Sequence, residues 1–171
     1  ILNNKPLIVT AGFSAADFQL LDGLRRQHYP PDRNRVPAHL TLFHHLPPSA
    51  LQSLQARLRA ETRNVAAPIA RLAAVRCFDG GVALDVESAG LAEIREILAD
   101  ALELVLTPQD RATWRPHITI QNKVDPAVAK ALAARLSRRF RPRPLAISTL
   151  MLWRYDDGRW EAVARYPFQT I

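Results

Sequence analysis

The sequence predicts an α+β fold made of two related lobes, with two antiparallel sheets facing a central cleft and helices outside. Three observations carry this. Apolar runs of strand length alternate with segments whose apolar residues recur every three or four positions. The order strand, helix, strand, helix, strand occurs twice, over roughly residues 1–78 and 79–171, which we expect to form a single domain. The second strand-like run of each copy carries the same tripeptide, His-x-Thr: His39-Leu40-Thr41-Leu42-Phe43 and His117-Ile118-Thr119-Ile120.

The first copy opens with the strand Leu7-Ile8-Val9-Thr10. A helix follows, with Phe18, Leu21, Leu24 and Arg25 at helical spacing. Ser14 reads as its N-cap and Asp17 sits at the capping-box position, where Glu or Gln is more usual. A loop rich in Pro, Asp and Asn (Tyr29 to Pro37) leads to the His39 strand. Pro47-Pro48 and Ser49 introduce a helix to about Arg63, striped by Leu51, Leu54 and Leu58, and a strand runs from Ile69 to Phe78. The second copy starts at the turn Asp79-Gly80-Gly81 and the strand Val82 to Val86. Leu91, Ile94, Leu98, Ala101 and Leu102 mark its first helix. A loop with Pro108 leads to the His117 strand. Asp125-Pro126, cap then first-turn proline, opens a helix striped by Val128, Leu132 and Leu136. Two final strands, Leu145 to Tyr155 and Trp160 to Tyr166, flank the hairpin turn Asp156-Asp157-Gly158.

In a strand, side chains alternate between faces. His39 and Thr41 therefore share one face and Leu40 and Leu42 the other, and His117 and Thr119 stand likewise against Ile118 and Ile120. Pro37 and Pro116 precede the two strands and keep the chain extended there. Two such strands face to face give two imidazoles and two hydroxyls. Phosphodiester chemistry without a metal uses this set: one base, one acid and donors for the phosphate. Histidine suits both proton tasks because its ordinary pKa is about 6.5. One imidazole must be neutral and the other protonated, which predicts a bell-shaped pH–rate profile. Thr41 and Thr119 would donate to the non-bridging oxygens. Either motif alone reads better as a satisfied, half-buried strand histidine beside a good strand former; two in one repeat favour the chemistry.

These residues resemble the 2H phosphoesterase superfamily, named for its paired His-x-Thr/Ser motifs. Val36 to Pro47 resembles the first motif of its bacterial 2′-5′ RNA ligase-like branch, and Trp114 to Lys123 the second. Length and element order extend the likeness over nearly the whole chain. The resemblance implies a bilobal fold with His39, Thr41, His117 and Thr119 lining a cleft, and no metal or other cofactor. It implies action on RNA ends or cyclic nucleotides: cyclic phosphodiester hydrolysis, or 2′-5′ bond cleavage or ligation. The chain lacks the added nucleic-acid domains of larger members, which leaves the natural substrate open.

Composition sets the remaining expectations. The net charge of +7 attracts phosphates, RNA included, but says nothing of reaction type. No apolar run reaches the roughly 18–20 residues that span a bilayer. The opening Ile1-Leu2-Asn3-Asn4-Lys5-Pro6 lacks a signal-peptide pattern, and the lone Cys77 suits a reducing compartment, so a cytoplasmic monomer with a nucleotide or RNA-end substrate and no obligatory protein partner is expected. Cys77 itself reads as a small buried residue at a strand end. His44 and His45 are adjacent, so one alone can share the His39 face; with His39 they suggest a metal, for which no nearby Cys or clear carboxylate completes the set. Arg115 and Lys123 flank the second motif as phosphate contacts or solvated strand ends. Trp153 and Tyr155 read as core, or as a platform for a base. The run Arg135, Arg138, Arg139, Arg141 and Arg143 reads as a solvated helix end or an RNA backbone contact. A noncatalytic RNA- or nucleotide-binding module is the alternative to an enzyme.

Overall fold

The computed structural model describes residues 4–170; Ile1, Leu2 and Asn3 of the opening segment, and Ile171, lie outside them. In the described residues, seven strands and five α-helices follow the order β1 (Leu7–Phe13), α1 (Ala15–His28), β2 (Leu40–Leu46), α2 (Leu51–Thr62), β3 (Ile69–Phe78), β4 (Gly81–Glu87), α3 (Ala89–Ala101), the one-turn α4 (Pro108–Arg111), β5 (His117–Gln121), α5 (Pro126–Arg139), β6 (Arg143–Asp156) and β7 (Arg159–Pro167). None of these helices is long and apolar enough to cross a membrane.

The strands pair antiparallel in the order β2-β1-β6-β3-β4-β5, with β7 beside β6. Exchanging β1 for β4, β2 for β5 and β3 for β6 reads the same order backwards. Each βαβαβ copy thus gives its third strand to the other: β6 lies beside β1, and β3 beside β4. The two antiparallel layers are joined rather than separate. Arg143 to Ala146 of β6 pair with β3, while Ile147 to Arg154 pair with β1. β7 has no counterpart in the first copy. It returns along β6 through a two-residue turn, Asp157 (φ 49°) and Gly158 (φ 82°), both in the left-handed region that such hairpins require.

The helix starts show where local signals and tertiary ties compete. Ser14 caps α1, its hydroxyl accepting from the Asp17 N–H at 3.3 Å. The Asp17 carboxylate does not close the capping box. It accepts instead from the Ala146 N–H (2.8 Å) and Arg143 Nη2 (3.1 Å), fastening α1 to β6. Asp125 precedes α5 without a side-chain cap bond, and Pro126 begins the helix. Ala129 and Leu132 form the buried face of α5 against β3 and β4; Val128, expected in that stripe, is exposed. Cys77 is exposed, not buried. Beyond Leu72, β3 has outrun β6 and has β4 alone as its partner, so Cys77 stands near a sheet edge.

Candidate active site

The motif strands carry their oily backs into the core. Leu40, Leu42, Ile118 and Ile120 are fully buried, while His39, Thr41, His117 and Thr119 are half-buried. β2 and β5 stand at opposite ends of the strand order, yet the sheet network curls until they are neighbours. Three side chains hold them there. Trp114 Nε1 donates to the Thr41 carbonyl (3.0 Å), Arg25 Nη1 to the Thr119 carbonyl (2.9 Å) and Arg95 Nε to the Leu42 carbonyl (3.0 Å). Each of α1 and α3 therefore sends an arginine across to the motif strand of the other copy.

Both motifs have an extra residue at the same place. Thr10 stands opposite Thr41 and Val9 opposite Phe43, leaving Leu42 unmatched. Ala83 stands opposite Thr119 and Val82 opposite Gln121, leaving Ile120 unmatched. Such a bulge resets the alternation of faces. Leu42 and Phe43 are buried in succession, as are Ile120 and Gln121. Strict alternation from His39 puts His45 on the motif face. The bulge puts His44 there instead and turns His45 out to solvent.

The two motif histidines are fixed alike. His39 Nδ1 lies 2.8 Å from the Pro37 carbonyl, and His117 Nδ1 lies 2.7 Å from the Arg115 carbonyl. A carbonyl only accepts, so each Nδ1 carries the proton and donates, leaving Nε2 as the working nitrogen. Their surroundings differ. The His39 ring packs on Trp160 of β7 (centroids 4.6 Å apart, planes at 53°), and Trp160 packs on Trp153 at 5.9 Å. Desolvation pushes the His39 imidazole down to about 4. The bond to the Pro37 carbonyl opposes this, and positive potential from Arg25, His117 and His44 adds to it.

A cavity opens on each side. The one at His39 has about 390 Å³ and is mostly apolar, walled by Phe13, Phe18, Met151, Trp153 and Trp160. The Thr149 hydroxyl, buried at its wall, has no hydrogen-bond partner among the described residues. Gly12, paired with Thr149, leaves room for that hydroxyl: a Cβ there would lie 2.3 Å from Thr149 Oγ1. The other cavity, about 200 Å³, is the more polar of the two and is lined by Thr41, His44, Arg95, Trp114, Arg115 and His117. Behind it lies Asp110 of α4, 1% exposed. Burial raises its carboxyl, but hydrogen bonds from the His44 ring and the His44 and His45 N–H groups outweigh this and hold it below the ordinary range.

Of the residues picked out by sequence, His39 borders the apolar cavity, and Thr41 and His117 the polar one. Thr119 borders neither, though it shares the half-buried class of its strand neighbour His117. Arg115 reaches the polar cavity; Lys123 is exposed at φ 64° and reaches neither. Trp153 walls the apolar cavity with its Nε1 donating to Thr10 Oγ1 (2.9 Å), whereas Tyr155 is exposed. The Arg135–Arg143 run lies against neither cavity. Among the described residues, no three His, Cys, Asp or Glu side chains gather closely enough to hold a metal ion. Arg25, Arg95, Asp110 and Trp160 were not singled out as site residues. Arg25 had a signal, a charge within the apolar stripe of α1, and so did Asp110, third after the capping pair Thr107-Pro108.

Known proteins share this fold. The family model of the 2′-5′ RNA ligase superfamily matches residues 13–159. No curated protein matches the sequence. Among solved structures, Escherichia coli LigT with 3′-AMP superimposes with a TM-score of 0.60 at 18% identity, covering 98% of this chain and 100% of that one. A Thermus thermophilus protein gives 0.66 at 19% identity, covering 95% and 97%. Kluyveromyces marxianus Usb1 with uridine monophosphate gives 0.53 at 12% identity, covering 96% and 98%. With a family model matching most of its length and a fold shared end to end, the chain belongs to the 2′-5′ RNA ligase superfamily, the 2H phosphoesterases.

Proposed function

We propose that the whole chain, residues 1–171 with halves at about 1–78 and 79–171, works as one metal-independent phosphodiesterase on 2′,3′-cyclic phosphates or 2′-5′ linkages of nucleotides or RNA ends. One observation carries this: two imidazoles, each locked with Nδ1–H on a carbonyl, on neighbouring strands, with burial holding that of His39 neutral. His39, neutral at physiological pH, is the base. In hydrolysis its Nε2 takes a proton from water, the hydroxide adds to phosphorus, and the P–O bond to one ribose oxygen breaks. His117 gives that oxygen its proton, and the product is a phosphomonoester. Ligation uses the same transfers with a 5′-hydroxyl in place of water, and cleavage of a 2′-5′ linkage to the cyclic phosphate is its reverse. Thr41 and Thr119 donate to the non-bridging oxygens, where charge builds. The apolar cavity takes the flat part of the substrate, with Trp153 and Trp160 as its platform. Crystal structures of E. coli LigT with 3′-AMP, ATP and NADP+ support a nucleotide as the ligand class.

The test is phosphomonoester release from a panel of nucleoside 2′,3′-cyclic phosphates in excess EDTA, with His39→Ala and His117→Ala alongside. Turnover in EDTA that both substitutions abolish supports the mechanism. Full activity in either variant, or activity lost to chelation, rejects it. RNA binding without turnover would favour the noncatalytic module.

A further inference from the structure

The polar cavity holds an imidazole that the proposed reaction does not use. His44 reaches it because the bulge at Leu42 shifts the faces of β2 by one residue. A buried carboxylate fixes its ring. Asp110 Oδ1 accepts from His44 Nδ1 at 3.0 Å and from the His44 N–H at 2.8 Å, and Oδ2 accepts from the His45 N–H at 3.0 Å. An ionised carboxylate only accepts, so Nδ1 carries the proton and Nε2 is the ring atom left for a ligand.

Most of the other side chains in the wall are donors. Arg95, Arg115 and His117 bring positive or protonatable groups, and Thr41, Thr113 and Gln109 bring hydroxyl and amide donors. Arg95 uses Nε and Nη2 on the Leu42 and Asp110 carbonyls, with Nη1 outside both bonds. Asp110 does not line the cavity, and its oxygens are taken by His44 and His45. At about 200 Å³ the space is smaller than the roughly 300 Å³ at which pockets for drug-sized ligands begin. Trp114 and Ala112 complete the wall. Several converging donors, a small volume and no carboxylate in the wall describe an anion site.

We propose that this cavity takes the phosphate oxygens on the His117 side of the substrate, and then of the phosphomonoester product, with His44 contacting one of them through Nε2 and Asp110 as its positioning residue. The inference rests on the phosphodiesterase reading and extends it: three imidazoles, not two, meet the substrate.

The decisive variant is His44→Asn. Asparagine places an N–H where Nδ1 was, keeping the bond to Asp110, but reaches no farther. We expect an unchanged melting temperature, and a kcat/KM for cyclic nucleotides and an affinity for 3′-nucleotide product each weaker by about 10–100-fold, the value of a charge-assisted hydrogen bond. His44→Gln extends to the old Nε2 position and should recover part of the affinity while melting earlier. Imidazole 15N spectra of the wild type give a second readout: inorganic phosphate should move the His44 Nε2 resonance. Wild-type KM and product affinity in His44→Asn would overturn the inference. So would phosphate shifts at His39 and His117 with none at His44, and there the phosphodiesterase reading would survive. Absence of both turnover and phosphate binding would overturn both.

Discussion

The two His-x-Thr motifs are near copies in everything local. Each histidine donates Nδ1–H to the carbonyl two residues back, each threonine carbonyl takes a side-chain donor from the other copy, and each strand bulges one residue after its threonine. They part company only in what covers them. β7, which the first copy lacks, lays Trp160 on His39; His117 faces a polar cavity with His44 and Arg115. The repeat sets two imidazoles in like local surroundings, and one unrepeated strand covers His39 alone. In the proposed reaction base and acid must differ in protonation at one pH, and that cover is the difference it would draw on.

The largest expected effect comes from removing either partner. His39→Ala and His117→Ala should each lower kcat by about 10²–10⁴. The double variant should be little worse than the poorer single one, because the pair works as a unit; additive losses measured in the same assay would separate the two roles. Next comes the cover itself. His39 accepts a proton only when neutral, that is, above its pKa, so kcat/KM should fall as pH drops through about 4. In Trp160→Ala water returns to the ring and its pKa climbs toward the ordinary 6.5 or so. The acid limb then moves up, and activity at pH 5 relative to pH 7 should drop by about tenfold. An acid limb left in place would mean that Trp160 is not what sets the two histidines apart.

The braces should break less evenly. Arg25 is 5% exposed, and Arg25→Met strands the Thr119 carbonyl and Asn34 Oδ1; urea titration should show a loss of about 2–4 kcal/mol. Arg95 is half-buried, and Arg95→Met should cost about 1–2 kcal/mol. Equal losses would argue that the two braces carry equal weight. The smallest effect belongs to Thr149→Val. It removes a hydroxyl without a protein partner, so stability should stay within about 1 kcal/mol. A raised KM in that variant would show that the hydroxyl meets the ligand.

Much of this was written in local pattern. Strand and helix periods placed β3 at Ile69 to Phe78, and the Asp-Gly pair placed the last hairpin. Motif spacing singled out the residues that β2 and β5 carry to one another. Period-two counting then failed at Leu42, because a bulge is decided by the partner strand, which no single run of residues contains. That is why sequence left open which of His44 and His45 turns inward. Asp110 was hidden for a similar reason: its bonds to His44 and His45 cross more than sixty residues. Cys77 was misjudged because strand ends near an edge obey the neighbours they lack.

The exchange of third strands has a kinetic side. β1 is made well before its central partner β6, which begins at Arg143, so much of the first copy waits beside an unfilled edge during synthesis. Pairings this distant slow folding. Until β7 arrives, His39 lacks its tryptophan. Appearance of the depressed His39 titration during refolding would therefore time the closing of the last hairpin, and a trigger-bound or chaperone-held nascent chain would lack it.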